Sequence, residues 1–96
     1  MTRDEAVRII SARLGELQRF HVESLSLFGS VARDEAAPGS DVDVLVQFRG
    51  PATFDRYMGL LEYLEERLGA EVDLVTTTGL RERARENVER ELIRVA

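Results

Sequence analysis

The chain has 96 residues, no cysteine and a net charge of −5, from 13 basic and 18 acidic side chains. This length predicts a single domain over residues 1–96, and the absence of cysteine excludes disulfides and thiolate metal sites. The acidic balance argues against direct nucleic-acid binding, and no apolar run is long enough for a signal peptide or membrane span, so we expect a cytoplasmic protein without a membrane partner.

The first part of the chain predicts a helix and then a strand. Thr2 with Glu5 three residues later fits a capping box, and the apolar stripe that follows predicts a helix over residues 2–19. Residues 24–28 alternate and are rich in Leu and Phe, which is typical of a strand.

A glycine and a serine follow this strand. Gly29 permits a tight turn and close backbone approach to a ligand, and Ser30 is a good N-cap for a short helix over residues 31–36. The free N–H groups at such a helix start favour an anion, phosphate above all, although Gly-Ser alone is usually an ordinary turn. Arg33 would contact phosphate or a partner, or pair with one of the two acidic residues after it.

The next predicted strand, residues 41–48, begins with two aspartates. Residues two apart share a strand face, so Asp41 and Asp43 point the same way while three valines point into a core. Two such carboxylates can converge on Mg²⁺, which prefers oxygen ligands and adds waters and phosphate oxygens. Asp-x-Asp alone is also common at a solvated strand edge. The short connection from the first strand favours antiparallel pairing.

A third carboxylate lies in the last predicted strand, residues 71–76. Thr53 caps the helix before it, which runs to Leu68 with Gly69 as its stop. This strand–helix–strand unit predicts a parallel crossover, which would place Asp73 beside the other two aspartates. Three carboxylates on adjacent strands, opposite a phosphate-binding turn, are the layout for metal-assisted nucleotidyl transfer.

A final helix is predicted over residues 80–95. Its polar face is dense in Arg and Glu, including Glu86 and Arg90 at a favourable i, i+4 spacing, and is either solvated or a docking surface. The fold class is therefore α/β: a small mixed sheet of about three strands packed with helices, in the order α-β-α-β-α-β-α.

The motif resembles the signature of the DNA polymerase β-like nucleotidyltransferases. Gly29 and Ser30 are followed, after ten intervening residues, by Asp-Val-Asp at 41–43. The longer strings at 28–33 and 39–44 resemble the minimal branch of that superfamily, the MNT antitoxins encoded beside a HEPN-domain toxin. The resemblance covers nearly the whole chain.

This resemblance implies a polymerase β-like fold and a Mg²⁺-dependent enzyme. Its substrate would be ATP, and it would transfer AMP to a hydroxyl, a tyrosine, of a partner HEPN toxin and so neutralise it. The positions that match the family's nucleotide-binding residues are Gly29, Ser30, Arg33 and Ser40. The positions that match its metal-binding and catalytic carboxylates are Asp41, Asp43 and Asp73, of which the last would also activate the acceptor hydroxyl.

Two other functions stay open from the sequence. A non-catalytic antitoxin would act by binding the toxin directly, with the nucleotide site unused. Nucleotide addition to RNA or to a small molecule is the weaker alternative, because family members with that activity carry an extra substrate-binding domain for which 96 residues leave no room.

Overall fold

A computed structural model of the chain describes residues 1–35, 39–77 and 92–96. These residues form one four-stranded sheet in the order β3-β2-β1-β4. The strands are β1 (Val22–Phe28), β2 (Val42–Phe48), β3 (Val72–Thr76) and β4 (Ile93–Arg94). β1 is antiparallel to both β2 and β4, whereas β2 and β3 are parallel. The mixed α/β sheet and both predicted pairing directions are confirmed, with one strand more than expected.

The described helices are α1 (Arg3–Ser11), α2 (Leu14–Leu17), α3 (Gly29–Ala32) and α4 (Phe54–Leu68), with a 3-10 turn at Gln18–Phe20. The predicted N-cap of the first helix is confirmed, since the Thr2 hydroxyl accepts a hydrogen bond from the Glu5 N–H at 3.1 Å. A continuous helix over residues 2–19 is wrong. Arg13 leaves the helical region (φ −130°, ψ 30°) and breaks it. Because each half keeps the helical period, the apolar stripe gave no sign of the break.

The long helix α4 is bounded as predicted. The Thr53 hydroxyl accepts a hydrogen bond from the Arg56 N–H at 3.3 Å, and Gly69 ends the helix in the left-handed region at φ +64°. Glycine adopts that conformation without the steric cost that a side chain brings.

Helices α1 and α4 cover one face of the sheet, and the main core lies between these helices and the sheet. Its fully buried side chains come from both layers: Ala6, Leu25, Leu27, Val42, Val44, Val46 and Leu60. The three valines of β2 that we expected in the core are all there. The opposite face of the sheet carries the aspartates.

A polar link joins α2 to α4 at the surface. The Tyr63 hydroxyl donates a hydrogen bond to the Glu16 carboxylate, and the Phe20 ring packs on the Tyr63 ring with centroids 5.2 Å apart. The hydrogen bond from Tyr63 lowers the pKa of Glu16. Burial, and then the same hydrogen bond, raise the pKa of Tyr63.

The C-terminal prediction is wrong where it can be compared. Residues 78–91, which include Glu86 and Arg90, lie outside the described residues, but residues 93 and 94 form β4 and not the end of a helix. The Leu25 carbonyl accepts hydrogen bonds from the N–H groups of Val95 (2.8 Å) and Ala96 (3.1 Å). Pairing with the free edge of β1 therefore outweighs local helical periodicity. Within the described ranges, every helix is too short or too polar to cross a bilayer.

Candidate functional site

The strand β1 runs directly into the short helix α3. Gly29 is the first helical residue, at φ +70°, and the N-cap is Phe28, whose side chain makes no capping hydrogen bond. Ser30 therefore lies inside the first turn, so its predicted role as N-cap is wrong, as is the predicted extent of this helix. The backbone N–H groups that open a helix lack intrahelical acceptors, and the Phe28 side chain at the N-cap does not bind them. An anion at this turn would have those donors.

Gly29 brings this turn against the first strand carboxylate. Phe28 and Asp43 are paired across β1 and β2, and a Cβ built on Gly29 would overlap the Asp43 carboxylate, with the Cγ atom only 2.9 Å away. Glycine is needed here twice, for its positive φ and for this close approach. The turn and the Asp43 carboxylate therefore form one continuous surface.

Asp43 and Asp73 lie side by side. They are register partners in the parallel pair of β2 and β3, and both are half-buried. Neighbouring strands are about 5 Å apart, so the two carboxylates can reach a common ligand. Asp41 directly precedes β2 and is exposed. The structure therefore brings Gly29, Asp43 and Asp73 together, with Asp41 at the open margin.

The donor set at this position fits Mg²⁺. In the described part of the chain, no group of three His, Cys, Asp or Glu side chains is close enough to form a complete metal site. Mg²⁺ does not require one, since it is usually held by one or two carboxylates, with waters and substrate phosphates filling the remaining positions. A carboxylate pair beside an anion-binding turn supplies that combination.

An apolar cluster lies next to the carboxylates on the same side of the sheet. Phe28, Leu45 and Val75 are buried together, with Leu92 packed against them. Leu45 continues the aspartate face of β2 and is a buried side chain. Because this cluster excludes water, the local dielectric constant is lower and the electric field of the carboxylates is stronger. Leu45 and Val75 each lie two residues after an aspartate on the same strand, which was a sequence signal for this cluster, whereas Phe28 joins it as the cross-strand partner of Asp43.

The other two predicted nucleotide-binding residues lie at the margin of the site. Arg33 is exposed, and its Nε donates to the Glu35 carboxylate at 3.1 Å, one of the pairings that the sequence allowed. Exposed pairs of this kind contribute little to stability, so exchanging Glu35 for a phosphate would cost little. Ser40 is half-buried and lines an open groove of about 410 Å³ with Gly39 and Glu71, at the end of the sheet where β2 and β3 begin.

Asp34 anchors the turn to the helix layer. It adopts the left-handed conformation at φ 60°, and its Oδ1 accepts a hydrogen bond from the Arg3 N–H, at the start of α1, at 3.0 Å. Val31 and Ala32 are buried in the main core on the other side. Sequence analysis missed this anchor, because nothing in the local pattern indicates which helix Asp34 contacts.

The comparison with known families agrees with this geometry. The profile of the family described as "Nucleotidyltransferase domain" matches residues 7–95, nearly the whole chain. The chain belongs to this family. The nucleotidyltransferase is 40% identical over 96 residues to a protein from Thermococcus cleftensis named protein adenylyltransferase MntA, covering 99% of this chain and 97% of the relative.

Solved structures show the same fold. One described as a candidate minimal nucleotidyltransferase is 39% identical, with a TM-score of 0.81, covering 97% of this chain and 95% of that one. A second is a toxin–antitoxin complex with AMP-PNP, at 22% identity and a TM-score of 0.66, covering 90% of this chain and 72% of that one. A third contains a tri-AMPylated Shewanella oneidensis HEPN toxin with its MNT antitoxin, at 17% identity and a TM-score of 0.65, covering 94% of the nucleotidyltransferase and 71% of that chain. The last two support the fold alone.

Proposed function

We propose that this nucleotidyltransferase transfers AMP from Mg²⁺–ATP to a tyrosine hydroxyl of a partner HEPN toxin and thereby neutralises it. The observation that carries the proposal is the contact of Gly29 with the Asp43 carboxylate, which joins an anion-binding turn to the carboxylate pair. The name of the Thermococcus cleftensis relative supports the reaction. The partner class is proposed by analogy with the MNT antitoxin that is bound to the AMPylated Shewanella oneidensis toxin and shares this fold.

The nucleotide would be held by the turn and its margin. The N–H groups at the start of α3, which the N-cap residue Phe28 does not bind, and the Ser30 hydroxyl would bind the triphosphate. Arg33 and Ser40, at the margin of the site, would add contacts to the nucleotide. Asp41 and Asp43 would bind Mg²⁺ on the strand that Gly29 approaches. The bound ion would supply positive charge to offset the charge that develops on the transferred phosphoryl group.

Asp73 would complete the metal site and accept the proton of the acceptor hydroxyl. The hydroxyl oxygen then forms a bond to the α-phosphorus, the bond from that phosphorus to the bridging oxygen breaks, and pyrophosphate leaves. Asp73 is suited to this role because it is half-buried beside Asp43, with the apolar cluster behind it. The open margin at Asp41 leaves room for the acceptor to approach.

The experiment is intact-mass spectrometry of the protein encoded next to this chain, which we expect to be a HEPN toxin, after incubation with this chain, ATP and Mg²⁺. We expect the HEPN protein to gain one or more AMP units, and none with the Asp43→Asn, Asp73→Asn double variant. A gain that persists in the double variant would refute the assigned site. Co-elution of the two proteins without any gain in mass would replace the proposal with an antitoxin that acts by binding alone.

A further inference from the structure

Asp73 lies on an edge strand that is only five residues long. Within the described residues, β3 pairs only with β2. The Glu71 carbonyl accepts the Val42 N–H at 2.9 Å, so the backbone groups of residues 71, 73 and 75 point toward β2. The backbone groups of the two neighbours of Asp73, residues 72 and 74, therefore point outward, where a further strand would otherwise pair with them.

Two side chains of α4 occupy those outward positions. The Glu65 carboxylate accepts the Val72 N–H at 3.1 Å, and the Tyr57 hydroxyl donates to the Leu74 carbonyl at 2.5 Å. Both hydrogen bonds are partly buried, which makes them more costly to lose than exposed ones. They hold β3 immediately before and immediately after Asp73.

We propose that Tyr57 and Glu65 are positioning residues that hold Asp73 beside Asp43 for the transfer reaction. The inference rests on the proposed function and deepens it. A displacement of about 1 Å in a reacting group can cost up to about a hundredfold in rate. The register of Asp73 against Asp43 is set on one side by the ladder with β2 and on the other by these two hydrogen bonds.

Three variants of α4 test the proposal. Tyr57→Phe removes only the hydroxyl, and Glu65→Ala removes the acceptor, whereas Glu65→Gln keeps an oxygen that can accept the Val72 N–H. We expect kcat for AMP transfer to fall about tenfold in Tyr57→Phe and Glu65→Ala. The KM for ATP should stay within about twofold, since the phosphate turn is built on β1. Glu65→Gln should restore most of the loss.

Tyr63→Phe is the matched control. It also removes one phenol hydroxyl from α4, but that hydroxyl binds Glu16 and not β3. We expect its kcat to equal that of the wild type. An equal loss of kcat in Tyr63→Phe, or none in Tyr57→Phe and Glu65→Ala, would overturn the positioning role while leaving the proposed function standing.

Amide hydrogen exchange of residues 72–76 gives a readout that does not depend on activity. Exchange should be faster in Tyr57→Phe and Glu65→Ala, and unchanged in Glu65→Gln and Tyr63→Phe. Unchanged exchange in the first two would refute the inference even if their kcat fell. A wild-type protein that transfers no AMP would refute the proposed function, and the exchange data would then still decide whether α4 holds β3 in place.

Discussion

The same strands supply apolar core side chains to one face of the sheet and carboxylates to the other. In β2, Val42, Val44 and Val46 are fully buried under the helices, whereas Asp43 is half-buried on the other face. Burying each valine contributes about 1.5–3 kcal/mol. Two carboxylates about 5 Å apart repel each other by about 3 kcal/mol at an effective dielectric constant of 20. The valines therefore outweigh the repulsion and fix the strand register that holds the carboxylates together.

The largest effect should come from the carboxylate face. Asp43→Asn keeps the shape of the side chain and removes its charge, so AMP transfer should fall at least about a hundredfold. The free energy of unfolding should stay within about 1 kcal/mol of the wild type, as measured by urea denaturation. A variant that loses activity only because it unfolds would contradict the division between the two faces.

The helix-covered face should show the reverse pattern. Leu25→Ala leaves a cavity in the main core, where Leu25 is fully buried, and should lower the free energy of unfolding by about 2–5 kcal/mol. Transfer activity per folded molecule, measured at a temperature where the variant is folded, should be unchanged. A core variant with normal stability and low activity would show that the two faces are not separable.

Gly29→Ala should lower both AMP transfer and the free energy of unfolding, since Gly29 lies where the phosphate turn contacts the carboxylate face. The added methyl group would displace the Asp43 carboxylate, so we expect activity to fall about tenfold. The positive φ should cost about 1 kcal/mol of stability. If the substitution lowered stability alone, the close approach of Gly29 to Asp43 would have no role in the reaction.

The smallest effect concerns the Tyr63–Glu16 link, which lies in the helix layer. The lowered pKa of Glu16 means that its contribution to stability is present above its usual value near 4.5 and is lost as the pH falls through the folded-state pKa. The raised pKa of Tyr63 means that its contribution is present below about 10 and is lost as the pH rises through the folded-state pKa.

Urea denaturation of the wild type and Tyr63→Phe across pH measures this link. The stability difference between the two should be largest near neutral pH and should shrink at both extremes. A difference that does not change with pH would mean that packing of the ring, and not the hydrogen bond, joins α2 to α4.

Strand alternation made much of the fold predictable. A period of two placed the valines and the aspartates on opposite faces, and the lengths of the connections gave both pairing directions. The predictions failed where a long-range contact overrides a local pattern. Residues 93 and 94 continue the pattern from which a helix over residues 80–95 was predicted, yet they pair with β1. The break at Arg13 and the start of α3 at Gly29 also depart from what the local pattern predicts.

The carboxylates of the candidate site could be predicted from the sequence, but the hydrogen bonds that hold α3 and β3 in place could not. Asp43 and Asp73 lie side by side as the alternation predicts. The anchoring of α3 by Asp34, and of β3 by two side chains of α4, could not be predicted, because each depends on how one element packs against another. The roles of the site residues stay predictions until the variants above are measured.

Both edges of the described sheet are short or partly covered. On one side, side chains of α4 already bind backbone groups of β3, and on the other the two-residue strand β4 covers β1. Short or covered edges offer a poor template for an additional strand. In the described part of the chain, the sheet therefore offers little free backbone for edge-to-edge association with another molecule.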